Sequence, residues 1–433
     1  MQPAFSYPGL PSSLPTVHLE DLYHTRQLAI QQARYHALAM KASAFPTDPS
    51  FHSDTSLHFF SVPGRTELGG NHTDHNHGRV LAASIDADMA AAVRFRPDRV
   101  VRLASDGFPV LEMDLADLHP RKEEYGSSAA IIRGIAAWCA ARGIMVRGFD
   151  AAVHSNVPPG SGLSSSAAFE VLMGAILAES AGAPLDPLTL ALAGQYAENV
   201  YFGKPCGLMD QIACAIGGIV AIDFGNPSAP AIERLEYDFL HNGYQLALLH
   251  TGSSHADLTD CYASIPQEMK AVAAQLGAST LADIDKAIFF SSISALRTSC
   301  GDRAILRALH FMHETMRPLQ MREALEQGNM ARYLSLVTES GSSSWRLLQN
   351  VHTCDTREQS IALALALTEQ ELAGRGACRV HGGGFAGSIQ VYLPLDMTEQ
   401  YIASMERVFG KGCVQTLALR STGACRVFIA DTE

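Results

Sequence analysis

The sequence has no Cys-x-x-Cys pair among its nine cysteines, and their odd number excludes a disulfide framework that would use all of them. Free thiols in a reducing cytoplasm are the expectation. There is no long run of Lys and Arg, and the formal net charge is −12. Nucleic acid and anionic membranes are therefore not expected as main partners. A small anionic ligand is not excluded, because a phosphate needs only a local cradle of N–H groups. No apolar stretch is long enough for a membrane span. The opening MQPAFSYPGLPSSLP, a Pro- and Ser-rich tail, lacks the basic head and apolar core of an export signal. No repeat of fixed period is visible. The only Trp residues, Trp138 and Trp345, fall in helical runs and read as packing. What remains is an ordinary globular composition, 47% apolar and 18% charged, spread over 433 residues, which is too long for one comfortable core.

The pattern along the chain mixes strands and helices. Leu19 to Lys41 carries neither Gly nor Pro and predicts a helix. LHFFSVPG predicts a strand closed by the Pro63-Gly64 turn. RVLAASID and AAVRFRP predict two more strands, VVRLAS and FPVLEMDL a meander, and RGFDAAVHSNVPPG a strand running into a Pro-Pro-Gly turn. Helical runs follow at Ser164 to Ala181 and Pro187 to Phe202, and GIVAIDF closes this part as a strand. Gly225-Asn226-Pro227 then offers a boundary between a domain of residues 1–225 and one of residues 226–433. The second part opens with YQLALLHTG and turns helical over 303–327, 329–350 and 357–374. It ends in ACRVHGGGFAGSIQVYLP, a helix near 397–409, and the strands CVQTLAL and ACRVFIAD. Without a regular βαβ alternation, the fold class expected is α+β.

Four segments carry candidate chemistry. GRTELGGNHTDHNHG gathers His72, Asp74, His75 and His77, whose imidazoles and carboxylate are of the type that ligates zinc or iron. VPPGSGLSSSAAFEV places Gly160 and Gly162 where a backbone can approach a ligand, then three serines at the start of an Ala-rich helix with unpaired N–H groups. Strand, Gly-rich turn and helix N-terminus make either a phosphate cradle or a plain turn; the Gly-Lys-Ser/Thr ending of a Walker A loop is absent. AENVYFGKPCGLMDQ holds Glu198 and Asp210, which either divide metal binding and acid–base work or serve as a solvated and a capping carboxylate. RVHGGGFAGSIQVY sets a triple Gly at a strand edge, for close approach of a neighbouring segment or of a ligand. His310 and His313, three apart on one helix, read as packed or solvent-facing, and Cys206 as a small packing residue.

In this order the segments resemble the signatures of the GHMP kinase superfamily and, within it, of the galactokinase family. PGRTELGGNHTDHNHG is similar to PGR-x-x-x-x-G-E-H-T-D-Y-N-x-G, and PPGSGLSSSAAFEV to P-x-G-x-G-L-S-S-S-A-x-x-E-V. AENVYFGKPCGLMDQ resembles A-E-x-x-x-x-G-x-P-C-G-x-M-D-Q, and GGGFAGS a G-G-G-F-G-G run. HADLTDCY and RALHFMHETMRPLQMREALEQGN match more weakly, so the resemblance reaches from about residue 50 to the end. It implies a two-domain α+β fold with the site between the domains. It also implies a kinase that moves the terminal phosphoryl of ATP to the anomeric hydroxyl of galactose. Asp210 would stand at that hydroxyl, as general base or orienting charge, with Arg65 lowering its pKa and stabilising the transferring group. Asn71, His72, Asp74, Gly207, Tyr262 and Gly383 would meet the sugar. Pro159, Gly160, Ser161, Gly162, Leu163, Ser164, Ser165, Ser166 and Ala167 would wrap ATP, with Gly382 and Gly384 on the opposite wall. Mg²⁺ would sit on Glu198 and on Ser165 or Ser166. A monomer is compatible with all of this.

The departures from the pattern are informative. Asn71 replaces a Glu that resembles a clamp on the sugar's O6, which opens galacturonate as an alternative substrate because an amide donates as well as accepts. His75 replaces a Tyr, Ser128 stands where an aromatic is expected near adenine, and Ala386 and Ser388 replace Gly and Cys. Two other classes compete: a sugar- and ATP-binding regulator without turnover, and a metalloprotein built on the His cluster.

Overall fold

In a computed structural model, the chain is described over residues 11–23, 27–46, 56–252, 258–353 and 355–429. The tail expected at the start lies outside these residues up to position 10, as do positions 255–257 of the HADLTDCY stretch. The strand expected to close at Pro63-Gly64 instead runs on as His58–Gly69. Its register against Arg79–Phe95 shifts between Pro63 and Arg65 and again between Glu67 and Gly69. Proline has no N–H for a ladder, and a bulge is where that lack costs least. RVLAASID and AAVRFRP are likewise one strand, Arg79–Phe95, whose first half pairs with Ile219–Asp223 and whose second half pairs with Phe149–Ser155.

Among the described residues the first sheet runs Thr16–His18, Cys425–Phe428, His58–Gly69, Arg79–Phe95, Phe149–Ser155, Val100–Ser105, Leu111–Asp114, with Ile219–Asp223 and Ala231–Leu235 branching from Arg79–Phe95. Two of its pairings are parallel and the rest antiparallel, so the sheet is mixed. The second sheet is antiparallel: Ala377–Val380, Ser388–Pro394, Tyr244–His250, Val414–Leu417. Together with the helices this is an α+β fold. Ala231–Leu235 and Cys425–Phe428 both follow residue 225 in the chain, yet both pair within the first sheet.

Side-chain alternation assigns the two faces of the first sheet. Ala91, Val93 and Ala151 pack with the helices Ser128–Ala140, Ser165–Ser180, Pro187–Ala197 and Met209–Ile216. Their neighbours Ala90, Ala92 and Ala152 point the other way, into Tyr35, Leu38 and Ala42 of the helix Leu28–Ser43. Ser165–Ser180 is apolar on nearly all sides, which fits a helix buried all round.

Helix boundaries depart from the sequence pattern where local chemistry intervenes. Leu19 to Lys41 is two pieces, Leu19–Leu22 and Leu28–Ser43; Tyr23, extended, places its phenol 2.5 Å from the buried Asp88 carboxylate. The 303–327 run splits into Asp302–Glu314 and Arg317–Glu326, with Pro318 at the start of the second, where its missing N–H is harmless. The 329–350 and 357–374 runs are helical over Met330–Ser343, continued by a wider turn to Leu348, and over Ser360–Leu372. Thr259–Gln275 is a helix that the pattern did not announce, since Pro266 lies inside it. No helix of the described residues is long and apolar enough to cross a membrane.

Candidate active site

A cleft of about 800 Å³ lies between the Gly/Ser loop, the turn after His58–Gly69, and the triple-Gly segment. Arg65 and Asp210 meet in it. Arg65 Nε and Nη2 each donate to one oxygen of Asp210 at 2.7 Å, a bidentate fork, and Nη1 donates to the Gly162 carbonyl at 2.5 Å. Ser164 donates a third hydrogen bond to Asp210. Arg65 is sealed, with 8% of its side chain exposed, whereas Asp210 keeps 32% of its own. The acid is therefore the partner that faces the cleft. Burial by itself would raise the Asp210 pKa, but the Arg65 charge, its two hydrogen bonds and the Ser164 hydroxyl hold it below the ordinary carboxylate value.

The Gly/Ser loop reaches this pair through its backbone. Arg65 N–H bonds the Leu163 carbonyl at 3.1 Å, and Ser164 takes a left-handed backbone (φ 59°) just before the helix begins at Ser165. Of the nine residues expected to wrap ATP, Gly160, Gly162 and Ser166 line the cleft. Leu163 and Ala167 are core, Ser161 is buried on the Pro158 carbonyl at 2.7 Å, Pro159 is exposed, and the Ser164 hydroxyl is committed to Asp210. Ser165 opens the helix half-buried and does not line the cleft.

Every residue expected to meet the sugar lines the same cleft. A Cβ on Gly207 would lie 2.1 Å from an Asp74 oxygen, and one on Gly383 would lie 2.4 Å from the Tyr262 ring. Glycine at both positions is thus what lets the two loops close on Asp74 and Tyr262. Tyr262 donates to the Gly384 carbonyl at 2.8 Å and stacks edge-on against Phe385. His72 has a left-handed backbone (φ 57°) and pairs Nε2 with the Gly383 carbonyl at 3.0 Å. A carbonyl only accepts, so that bond fixes the tautomer with Nδ1 as a bare acceptor, and Nδ1 has no partner among the described residues. Burial first, then the neighbouring His75, lowers the His72 pKa to about 3, so the ring is neutral.

Asn71 is 1% exposed and fully engaged. Its amide N–H groups donate to Glu67 Oε1 at 3.2 Å and the Gly382 carbonyl at 2.7 Å. Its amide oxygen accepts from Asn350 at 2.9 Å and Ser344 at 3.3 Å. The backbone is held as tightly: His310 bonds the Asn71 carbonyl at 2.9 Å, and Glu314 takes the N–H groups of Gly70 and Asn71. His310 is therefore a fully buried positioning group. Glu67 also pairs with Arg379, which ties the first sheet to the second.

Glu198 lines the cleft beside Gln211, whose amide nitrogen bonds Glu198 at 3.2 Å and Glu170 at 2.8 Å. Glu170 Oε1 and Gln211 Oε1 are buried without partners among the described residues. Burial, then the nearby Glu198, pushes the Glu170 carboxyl well up. Carboxylate, amide and hydroxyl oxygens with unused lone pairs are the donor set of a hard divalent cation, so the residues present fit Mg²⁺. In the His72–His77 turn, His72 Nε2 pairs with the Gly383 carbonyl and Asp74 Oδ1 accepts from the His75 N–H at 2.9 Å. No three His, Cys, Asp or Glu converge as metal ligands among the described residues.

The sequence pattern assigns no role to Glu67, Glu170, Gln211, Asn350 or Glu314. Three of them left a usable trace: Glu170 and Gln211 stand at matched positions of the A-x-x-E-V and M-D-Q signatures, and Glu67, two residues from Arg65 on one strand, shares its face. Glu314 ends the distant helix Asp302–Glu314 and Asn350 lies in the loop after Leu348, and neither left one.

Comparison with known proteins agrees with the geometry. A family model described as the galactokinase galactose-binding signature matches residues 49–95, and one for the GHMP kinases N terminal domain matches residues 129–218. The galactokinase of Lactococcus lactis, solved in complex with galactose, is 25% identical over 91% of this chain and 99% of its own, with a TM-score of 0.75. The mevalonate kinase of Methanococcus jannaschii shares the fold at 14% identity, covering 84% of this chain and 99% of its own, with a TM-score of 0.60. That of L. major, in complex with R-mevalonate, does so at 15%, covering 87% and 100%, with a TM-score of 0.58.

Proposed function

The chain belongs to the GHMP kinases and carries the galactokinase galactose-binding signature, and from that premise we propose that it phosphorylates the anomeric hydroxyl of galactose with ATP, giving galactose 1-phosphate and ADP. The observation that carries this reading is Asp210. It is kept ionised by the Arg65 fork, open to the cleft, and set between a Gly/Ser loop and the residues of the sugar signature.

The anomeric hydroxyl points its proton at Asp210 and its lone pair at the γ-phosphorus. As the O1–P bond forms and the bond to the β-phosphate oxygen breaks, the proton passes to Asp210. Because Asp210 is held below the usual carboxylate range, it is a weak base before that moment, and orientation supplies most of its effect. Arg65 spends three of its five N–H donors on Asp210 and Gly162, and its fixed charge faces the developing negative charge. Gly160, Gly162 and the first N–H groups of Ser165–Ser180 hold phosphate oxygens. Lys204 and Lys270, both exposed on the cleft wall, add positive charge along the path of the nucleotide. Glu198 and Ser166, with Gln211 and Glu170 behind them, would hold Mg²⁺, which when bound neutralises phosphate charge. His72 and Asp74 accept hydrogen bonds from sugar hydroxyls, and Tyr262 and Gly383 form the wall beside them. The same arrangement implies two lobes that are not cut cleanly at residue 225, since Ala231–Leu235 and Cys425–Phe428 join the first sheet from beyond it. A coupled assay for ADP release with galactose, ATP and Mg²⁺, followed by identification of the 1-phosphate, tests the reading. Tight galactose binding with no ADP release would overturn it.

A further inference from the structure

Asn71, the position where the sequence departs from its family, has nothing left to offer a ligand. Both amide hydrogens and both acceptor positions of its oxygen are taken by Glu67, Gly382, Asn350 and Ser344. The neighbouring Glu67 is in the opposite state. Its Oε1 receives Asn71 and Arg379, while Oε2 takes no hydrogen bond from the described residues, and the side chain lines the cleft. Arg65 and Glu67 lie two apart on one strand in unbroken register, hence on one face and about 7 Å apart. A hexose with its anomeric hydroxyl at Asp210 therefore extends along that face toward Glu67. His72, which also lines the cleft, carries a second bare acceptor in Nδ1, buried and without a partner among the described residues.

We propose that Glu67, and not Asn71, is the side chain that receives a sugar hydroxyl at the far end of the cleft, and that it restricts the site to neutral hexoses. This rests on the reading of the chain as a galactose kinase. Two acceptors without a facing donor select a ligand that brings O–H groups. A uronic acid would instead bring a carboxylate toward Glu67, Asp74 and Asp210, and the nearest cation, Arg379, is wholly buried behind Glu67. Asn71 acts as a positioning residue that orients the Glu67 carboxylate.

The test is equilibrium binding of galactose, its monodeoxy analogues and galacturonate to the wild type, Glu67→Gln and Glu67→Asp, with kcat and KM measured alongside. The wild type is expected to lose affinity for each deoxy analogue and to bind galacturonate at least about tenfold more weakly than galactose. In Glu67→Gln, galactose binding falls about tenfold, the penalty for one particular missing hydroxyl vanishes, and the other penalties stay. Glu67→Asp keeps the charge beside Arg379 and hence the fold, but withdraws the oxygen; it loses the same single discrimination. Uniform weakening toward every analogue in both variants, unchanged penalties, or wild-type binding of galacturonate equal to that of galactose would each overturn the proposal. Galactose binding without ADP release overturns the kinase reading alone, and the binding panel still decides the role of Glu67.

Discussion

Arg65–Asp210 and Glu67–Arg379 are two ion pairs built on one face of one strand, and they are sealed to different degrees. In the first the base is buried and the acid keeps 32% of its side chain open; in the second the base is at 0% and the acid at 5%. The surroundings differ accordingly. Asp210 is touched by one fork and one hydroxyl, and stands at the first turn of a helix. Glu67 belongs to a lattice that joins Asn71, Asn350, Ser344, His310, Glu314 and Arg379 across both sheets. Nearly equal chemistry thus yields a charge poised for reaction in one place and a rigid wall in the other. Exposure of the acid makes the difference: Asp210 opens to the reacting atoms, whereas Glu67 offers the cleft a single oxygen from a fixed lattice.

Breaking the first pair is expected to abolish turnover with little loss of fold. Asp210→Asn should lower kcat about 10³-fold or more, with nucleotide affinity unchanged by calorimetry; turnover within about tenfold of wild type would remove Asp210 from the chemistry. Breaking the second region should do the reverse. Asn71→Glu restores the residue type of the family pattern, yet it sets a second carboxylate against Glu67 in a buried lattice. The expected cost is about 3–5 kcal/mol in chemical denaturation, and a gain in galactose efficiency without that loss would show the lattice to be adaptable. Arg65→Lys keeps the charge but not the fork, so a fall of about 10²-fold in kcat with near-normal stability is expected.

The smallest effect is one of pH. Asp210 titrates below its unfolded value, so its contribution to stability is present above the ordinary carboxylate range and is lost as pH falls through the folded pKa. It sets no limb of the activity profile near neutrality. His72, by contrast, is lowered from 6.5 to about 3, so the unfolded chain binds the extra proton and stability falls as pH drops from 6.5 toward 3. His72→Gln should flatten that part of the stability profile by at most about 1.4 kcal/mol per pH unit; an unchanged slope would assign the acid sensitivity to His310 and His381, which burial also lowers.

Local chemistry was legible in the sequence because it depends on neighbours in the chain. The Gly/Ser loop before an Ala-rich helix and the mixed order of strands and helices were anticipated from residue types at fixed spacings, and the meeting of Arg65, Asp210, Asp74 and Tyr262 in one cleft only from the resemblance to the family's signatures. What failed locally failed where distant partners overrule propensity: the bulge that carries His58–Gly69 through Pro63, and the helix Thr259–Gln275 that tolerates Pro266. Which atoms remain free was decided only by the tertiary structure. The sequence puts Asn71 in the signature turn, but Asn350 and Ser344 arrive from nearly 280 positions away to fill its oxygen, and Glu67 and Gly382 take its hydrogens. Hydrogen-bonding capacity is a property of the residue type, whereas its availability to a ligand depends on every group that folds against it.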